Sequence, residues 1–126
     1  MSDVAVVSDK VIMAEDVIHG TPDLVIEILS PSTAKMDRAN KKVAYAKSSV
    51  YEYWIVDIKN FAIEVYRLQS NFLELYEVCM LLSKNNTKHL LEQNKHIPPT
   101  GFTTTTLSGV HIDLYEIFQD MIPKGY

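Results

Sequence analysis

The segment DLVIEIL, residues Asp23–Leu29, constrains the fold most, because it joins an apolar strand pattern to two acidic residues. Runs of Val, Ile and Leu bounded by turn-forming residues are typical of a buried strand. Pro31 ends the run, and Ser32 or Thr33 can cap a helix that continues to about Lys47. The chain must therefore hold carboxylates on a core strand, directly before a helix that contains several lysines.

The rest of the chain is rich in strand patterns. We predict the other strands at residues 3–7, 52–58, 62–68 and 71–78, with a short strand or turn within 11–20. Residues 83–101 are polar and contain two adjacent prolines, so we predict that this section is mostly loop. The stretch GVHIDLYEIF, residues 109–118, predicts a short strand and then a short helix. This order predicts an α/β (α+β) fold, in which a mixed β-sheet is covered by the helix that follows the second acidic strand.

The composition is that of a single domain spanning residues 1–126. Hydrophobic residues make up 47% of the chain, which is enough for a core. No apolar run reaches the roughly 18 residues of a membrane-spanning helix, so we expect no contact with a membrane. Cys79 is the only cysteine, which excludes an internal disulfide and favours a reducing cytoplasm. We therefore expect a cytoplasmic protein in which Cys79 is a small core side chain.

The charged residues are segregated along the chain, although the net charge is only −4. Six acidic residues and one lysine occur in residues 1–30, whereas residues 35–47 contain five basic residues and one aspartate. The net charge argues against a strong, indiscriminate nucleic-acid binder. An acidic region beside a basic helix nevertheless suits a site that holds a cation together with an anionic substrate. A solvated basic helix face would explain the same pattern.

Strand alternation places Asp23 and Glu27 on one face of their strand, together with Val25 and Leu29. Four residues of strand span about 13 Å, whereas a metal ion needs its oxygen ligands within about 2–2.6 Å. The two acids therefore cannot easily share one ion. Glu27 needs a partner from a neighbouring strand.

The strand at residues 3–7 offers that partner. If it pairs antiparallel with the strand of Glu27, one register places Asp3 directly opposite Glu27, with Cβ atoms about 4.5–5.5 Å apart. Two carboxylates at this distance repel each other unless a cation lies between them. A Mg²⁺ ion held by Asp3, Glu27, the backbone carbonyl of Ile28 and several waters would explain both acids. Alternatively, each acid lies at a strand end and faces water.

The predicted helix carries a polar stripe formed by Asp37, Lys41 and Tyr45, which recur every four residues. If the stripe faces the carboxylates, Lys41 can orient an attacking water or stabilise charge on a phosphate. A plain Asp37–Lys41 ion pair on the surface is the alternative. The sequence leaves open which side of the helix meets the sheet, because a competing apolar face is formed by Met36, Ala39, Val43 and Ala46.

Two stretches carry a family resemblance, PDLVIEILSPSTAKMDRANKKVAYAK and VYEYWIVDIKNFAIEVYRL. They resemble the Uma-two family, mostly bacterial proteins with the restriction-endonuclease-like PD-(D/E)XK nuclease fold. The resemblance implies an endonuclease that hydrolyses the phosphodiester bonds of DNA with Mg²⁺ or Mn²⁺. It makes Asp3 and Glu27 the first and second acids of the nuclease motif.

The resemblance also implies roles for residues around these acids. Leu29 stands where the general motif has its lysine, and in this family the lysine lies on the following helix, at Lys41. Lys42 is adjacent and could take its place. Asp23 belongs to a second "PD" dipeptide and is expected to support the site, together with Asp37 and Tyr45 of the helix.

Family members usually have a further segment before the first acidic strand, so we expect this chain to be truncated at its N-terminus relative to the family. The apolar surface left by that loss would be covered by a second copy of the chain, which predicts a homo-oligomer, in the simplest case a dimer. The alternative is a non-catalytic remnant of the nuclease fold, which binds nucleic acid or protein as an oligomeric scaffold.

Overall fold

A computed structural model describes the backbone of residues 3–7, 11–12, 23–29 and 38–126, and the side chains of residues 23–29, 40–107 and 109–126. The strands are β1 (Asp3–Val7), β2 (Val11–Ile12), β3 (Leu24–Leu29), β4 (Glu52–Asp57), β5 (Ala62–Gln69), β6 (Phe72–Met80), β7 (Gly101–Thr103) and β8 (His111–Asp113). The α-helices are α1 (Arg38–Lys47), α2 (Lys84–Glu92) and α3 (Leu114–Phe118), with short 3₁₀ turns at Leu107–Gly109 and Gln119–Met121. None of the helices described is long and apolar enough to cross a membrane.

Six strands form one mixed sheet in the order β2-β1-β3-β4-β5-β6, and β7 pairs with β8 in a separate ribbon. Strands β3 and β4 are parallel, and every other neighbouring pair is antiparallel. Parallel neighbours need a crossover connection, and α1 lies in the connection between β3 and β4. The predicted fold class, a mixed sheet with a covering helix, is confirmed.

The antiparallel pairing of β1 with β3 is as predicted, but its register is not. Glu27 lies opposite Val4, and Asp3 lies opposite Ile28, so the predicted alignment of Asp3 with Glu27 is wrong by one residue. After its first residue β1 reads Val-Ala-Val-Val, which is apolar on both faces. Hydrophobic alternation therefore cannot select between adjacent registers of this strand.

The hydrophobic core has two parts, one on each face of the sheet. Val25 and Leu29 of β3 belong to the part under α1, whereas Leu24 belongs to the part on the other face. The predicted alternation of this strand is therefore confirmed. On α1, Ala46 is buried and Val43 is 54% exposed, so only part of the competing apolar face meets the sheet.

The C-terminal third packs on the face opposite α1. Leu114 and Phe118 of α3 are fully buried there, and burial of each such side chain contributes about 1.5–3 kcal/mol. The predicted short strand and short helix are confirmed as β8 and α3.

The prediction that residues 83–101 are mostly loop is wrong for α2. Ser83 caps this helix, because its side-chain oxygen accepts a hydrogen bond from the backbone N–H of Asn86 (3.1 Å). No residue of α2 is buried, so the helix lacks the apolar stripe by which a helix is recognised in a sequence. The helix predicted from Ser32 or Thr33 ends at Lys47 as expected, but its predicted start lies outside the described residues.

Candidate active site

Glu27 is a buried acid in the middle of β3, a strand flanked by β1 and β4. The residue is only 2% exposed, and its carboxylate lies on the face covered by α1. Oε1 accepts a hydrogen bond from the Lys41 ammonium at 2.9 Å, and Oε2 accepts one from the Tyr53 hydroxyl at 3.1 Å. The structure thus brings together the predicted acid, the predicted lysine and a tyrosine that the sequence did not single out.

Lys41, and not Lys42, is the lysine that contacts the buried acid. Its side chain is 29% exposed, so it reaches Glu27 from the margin of the core and still touches solvent. Lys42 points elsewhere, with its ammonium 4.7 Å from the centre of the Tyr66 ring. The alternative Asp37–Lys41 pair involves Asp37, which lies outside the described residues.

Three tyrosines line the core beside Glu27, and Tyr45 is the one that the stripe on α1 predicted. The ring centres of Tyr45 and Tyr53 are 5.1 Å apart, and those of Tyr53 and Tyr66 are 5.9 Å apart. Burial raises the pKa of the Tyr45 phenol, and the negative charge of Glu27 raises it further. Lys41 and Tyr45 of the stripe therefore face the sheet, which answers the question that the sequence left open for the described part of the helix.

The Tyr53 hydroxyl keeps its proton under ordinary conditions. Burial raises its pKa strongly, and the charge of Glu27 and the hydrogen bond to that carboxylate raise it further. The phenol is consequently a stable hydrogen-bond donor to Glu27 near neutral pH.

The chemistry of the Glu27 carboxylate fits a hard cation. An ionised carboxylate has about four acceptor positions, and the described side chains that contact Glu27 occupy two of them. Oxygen atoms of this kind are what Mg²⁺ and Mn²⁺ prefer. Within the described residues, however, no cluster of three or more His, Cys, Asp or Glu residues is arranged to hold a metal ion.

The other predicted ligands are placed only by the backbone. Asp3 pairs with Ile28, the residue after Glu27 whose carbonyl was also predicted to bind the ion. The side chain of Asp3 lies outside the described side chains. Asp3 therefore remains only a predicted metal ligand, and the strand register that suggested this role is not the one observed.

Asp23 lies at the start of β3, away from the Glu27 carboxylate. Its backbone carbonyl accepts hydrogen bonds from the N–H groups of Tyr51 (3.2 Å) and Glu52 (3.0 Å). Asp23 also lines a cavity of about 490 Å³ together with Arg67 and Thr106. This position assigns Asp23 a part in joining β3 to the start of β4.

A second buried acid, Glu52, was missed by the sequence reasoning. It is 0% exposed and accepts hydrogen bonds from Arg67 Nε (3.2 Å), Thr106 Oγ1 (2.8 Å) and the Thr104 hydroxyl. Arg67 also donates to the Thr103 carbonyl at 2.7 Å. These contacts fasten the four-threonine segment to the end of the sheet. No local pattern could reveal them, because the threonines lie about fifty residues from Glu52 along the chain.

Comparison with known proteins agrees with this fold. The Uma2 family, described as "Putative restriction endonuclease", matches residues 2–102, and the chain belongs to that family. None of the curated proteins is detectably similar to the chain.

A solved structure from Anabaena variabilis, described as a "putative nuclease belonging to DUF820", shares the fold. It superposes with a TM-score of 0.52 at 19% sequence identity, over 82% of this chain and 48% of the other. The chain thus spans about half the length of that relative. The similarity shows that the two chains share a fold.

Proposed function

We propose that the chain is a metal-dependent endonuclease that hydrolyses phosphodiester bonds in DNA. The observation that carries the proposal is the contact between the buried Glu27 carboxylate and the Lys41 ammonium, at 2.9 Å. An acid on a strand and a lysine on the following helix are the arrangement that the family resemblance implies for the second acid and the lysine of the site. Membership of a family described as "Putative restriction endonuclease" supports the same assignment.

Lys41 is proposed to act on the phosphate. Because its side chain is 29% exposed, the ammonium can exchange part of its contact with Glu27 for a contact with an arriving anion. A lysine ammonium binds phosphate as a compact point charge. Its positive charge would stabilise the charge that develops on the phosphate oxygens while water attacks phosphorus and the P–O bond breaks.

Glu27 is the residue proposed to hold Mg²⁺ or Mn²⁺, and Asp3 and the Ile28 carbonyl are kept only as the further ligands that the sequence predicts, because Asp3 pairs with Ile28 rather than with Glu27. A bound ion of this kind lowers the pKa of its water and supplies hydroxide near neutral pH. Burial of Glu27 keeps competing water away from the carboxylate. Tyr45 supports the site by packing against Tyr53, and Asp23 and Asp37 are proposed as further supporting residues.

The reaction is proposed to take place in the cytoplasm. Cys79 is fully buried, and its pKa is raised to about 11 by burial and by the negative charge of Glu77. A chain with this single, inert thiol uses no internal disulfide, which suits a reducing compartment.

Cleavage of DNA by matched lysine variants tests the proposal. Plasmid DNA and single-stranded oligonucleotides are incubated with the wild type, Lys41→Met and Lys42→Met in Mg²⁺ or Mn²⁺. We expect cleavage by the wild type and by Lys42→Met, and its loss in Lys41→Met, because of these two lysines it is Lys41 that contacts Glu27. Equal cleavage by all three proteins would assign the activity to a contaminant. No cleavage by the wild type of any substrate in either metal would contradict the proposal.

An oligomeric scaffold is the second candidate, and the surface of β6 favours it. This nine-residue strand is the last in the described sheet, and Phe72, Leu75 and Tyr76 on it are each about half exposed. Long edge strands with exposed apolar side chains tend to pair with another chain. Sedimentation of the wild type and of Leu75→Lys distinguishes the cases: a dimer that dissociates in the variant supports pairing through β6, and a monomeric wild type excludes it.

A further inference from the structure

Two donors among the described side chains hold the buried Glu27 carboxylate, and only one of them is rigid. Lys41 reaches Oε1 at the end of a flexible chain that is partly in solvent. Tyr53 reaches Oε2 at 3.1 Å from within the sheet, and it is 0% exposed. The phenol, rather than the ammonium, is therefore the contact that can set the orientation of the carboxylate.

The surroundings of Tyr53 leave its ring little freedom. Its backbone is paired on both sides, with Val25 of β3 and with Tyr66 of β5. Its ring lies between those of Tyr45 and Tyr66, with centre-to-centre distances of 5.1 and 5.9 Å. A hydroxyl on a ring held in this way presents its hydrogen bond from a fixed point.

We propose that Tyr53 is a positioning residue for Glu27. Its hydroxyl fixes the plane of the carboxylate, so that the acceptor positions not used by Tyr53 and Lys41 are directed at a bound divalent cation. The proposal rests on the function proposed above and adds a residue that never touches the metal or the substrate. Removal of a group that orients a metal ligand typically weakens metal binding about 10- to 100-fold.

The same face of the sheet contains a matched control. The Tyr66 hydroxyl donates to Glu64 Oε1 at 2.6 Å, which is a second contact between a phenol and a carboxylate. Glu64 lies in the same cross-strand row as Glu27, because both residues pair with Ile55. Tyr53→Phe and Tyr66→Phe therefore remove the same kind of hydrogen bond from the same aromatic cluster, and only the first change affects Glu27.

The experiment is a calorimetric titration of Mn²⁺ into the wild type, Tyr53→Phe and Tyr66→Phe, with urea unfolding of each protein. We expect Tyr53→Phe to weaken Mn²⁺ binding about 10- to 100-fold, whereas Tyr66→Phe leaves the affinity at the wild-type value. If both variants lose similar stability and only Tyr53→Phe loses Mn²⁺ affinity, Tyr53 positions the carboxylate and does not act only through packing. Phenylalanine keeps the ring in place, so both variants are expected to fold.

The outcomes separate the two proposals. If the wild type binds Mn²⁺ and Tyr53→Phe binds it equally well, the positioning role is overturned and the proposed metal site stands. An equal loss of affinity in both variants also overturns the positioning role, because the effect then belongs to the aromatic cluster. If the folded wild type shows no saturable binding, the metal-dependent function fails, and the role of Tyr53 fails with it.

Discussion

Replacement of Arg67 by methionine is expected to destabilise the protein strongly, because it leaves a buried carboxylate without its cation. Glu52 is 0% exposed, and the Arg67 side chain is only 15% exposed. Removing one partner of a buried ion pair costs about 3–5 kcal/mol. Arg67 keeps some contact with water and Glu52 keeps its threonine donors, so we expect a value near the lower end, about 3 kcal/mol. For a chain of 126 residues this corresponds to a fall in Tm of about 10–15 °C.

Urea unfolding followed through Trp54 fluorescence measures this loss, because Trp54 is 4% exposed in the folded core. The double variant Glu52→Gln/Arg67→Met should recover about 1 kcal/mol or more relative to Arg67→Met, since it removes the unpaired charge. Lys88→Met is the control: Lys88 and Glu92 form an exposed pair at 4.0 Å, worth about 0.5 kcal/mol or less. A cost below about 1 kcal/mol for Arg67→Met would show that Arg67 and Glu52 do not act as a buried ion pair, because that is the range of surface pairs.

Three further predictions concern a helix cap, the thiol and alkaline pH. Ser83→Ala should cost about 1 kcal/mol, seen as faster amide hydrogen exchange confined to α2, and unchanged exchange there would contradict the capping role. Cys79 should react with thiol reagents at pH 8 only after unfolding, since its pKa is raised to about 11 and it is fully buried; rapid labelling of the folded protein would contradict this. The folded-state pKa values of Tyr45 and Tyr53 lie above the ordinary value of 10.0. The stability that the two protonated phenols contribute to the fold is therefore complete below that pH and is lost as the pH rises further. Urea unfolding should show this loss as the pH rises above the ordinary pKa of 10.0, and a smaller loss in Tyr53→Phe; an equal loss in both proteins would contradict the assignment.

Local patterns in the sequence predicted which residues share a face of β3 and of α1, although they left open which face of α1 meets the sheet. The alternation of β3 placed Glu27 with Val25 and Leu29, and these two side chains do pack together in the core under α1. The spacing of Lys41 and Tyr45 placed them on one stripe of a helix, and that stripe does face the sheet. In both cases the side-chain period of the element is enough to predict which residues share a face.

Long-range partners could not be predicted in the same way. The register of β1 depends on which of two similar apolar alignments packs better, and a strand that is apolar on both faces does not encode that choice. The donor from Tyr53 depends on the parallel pairing of β3 with β4, and the contacts of Glu52 depend on a segment that folds back from beyond residue 100. Such contacts are set by the tertiary fold, and no spacing within a single element predicts them.

The metal-dependent function requires that the Glu27 carboxylate holds a divalent cation beside Lys41, and calorimetric titration of Mn²⁺ into Glu27→Gln is the measurement that decides this. Glu64→Gln is the matched control, because Glu64 also accepts a hydrogen bond from a tyrosine on the same face of the sheet. We expect saturable binding by the wild type and by Glu64→Gln, and none by Glu27→Gln. Binding that persists in Glu27→Gln, or its absence from the folded wild type, would contradict the proposed metal site.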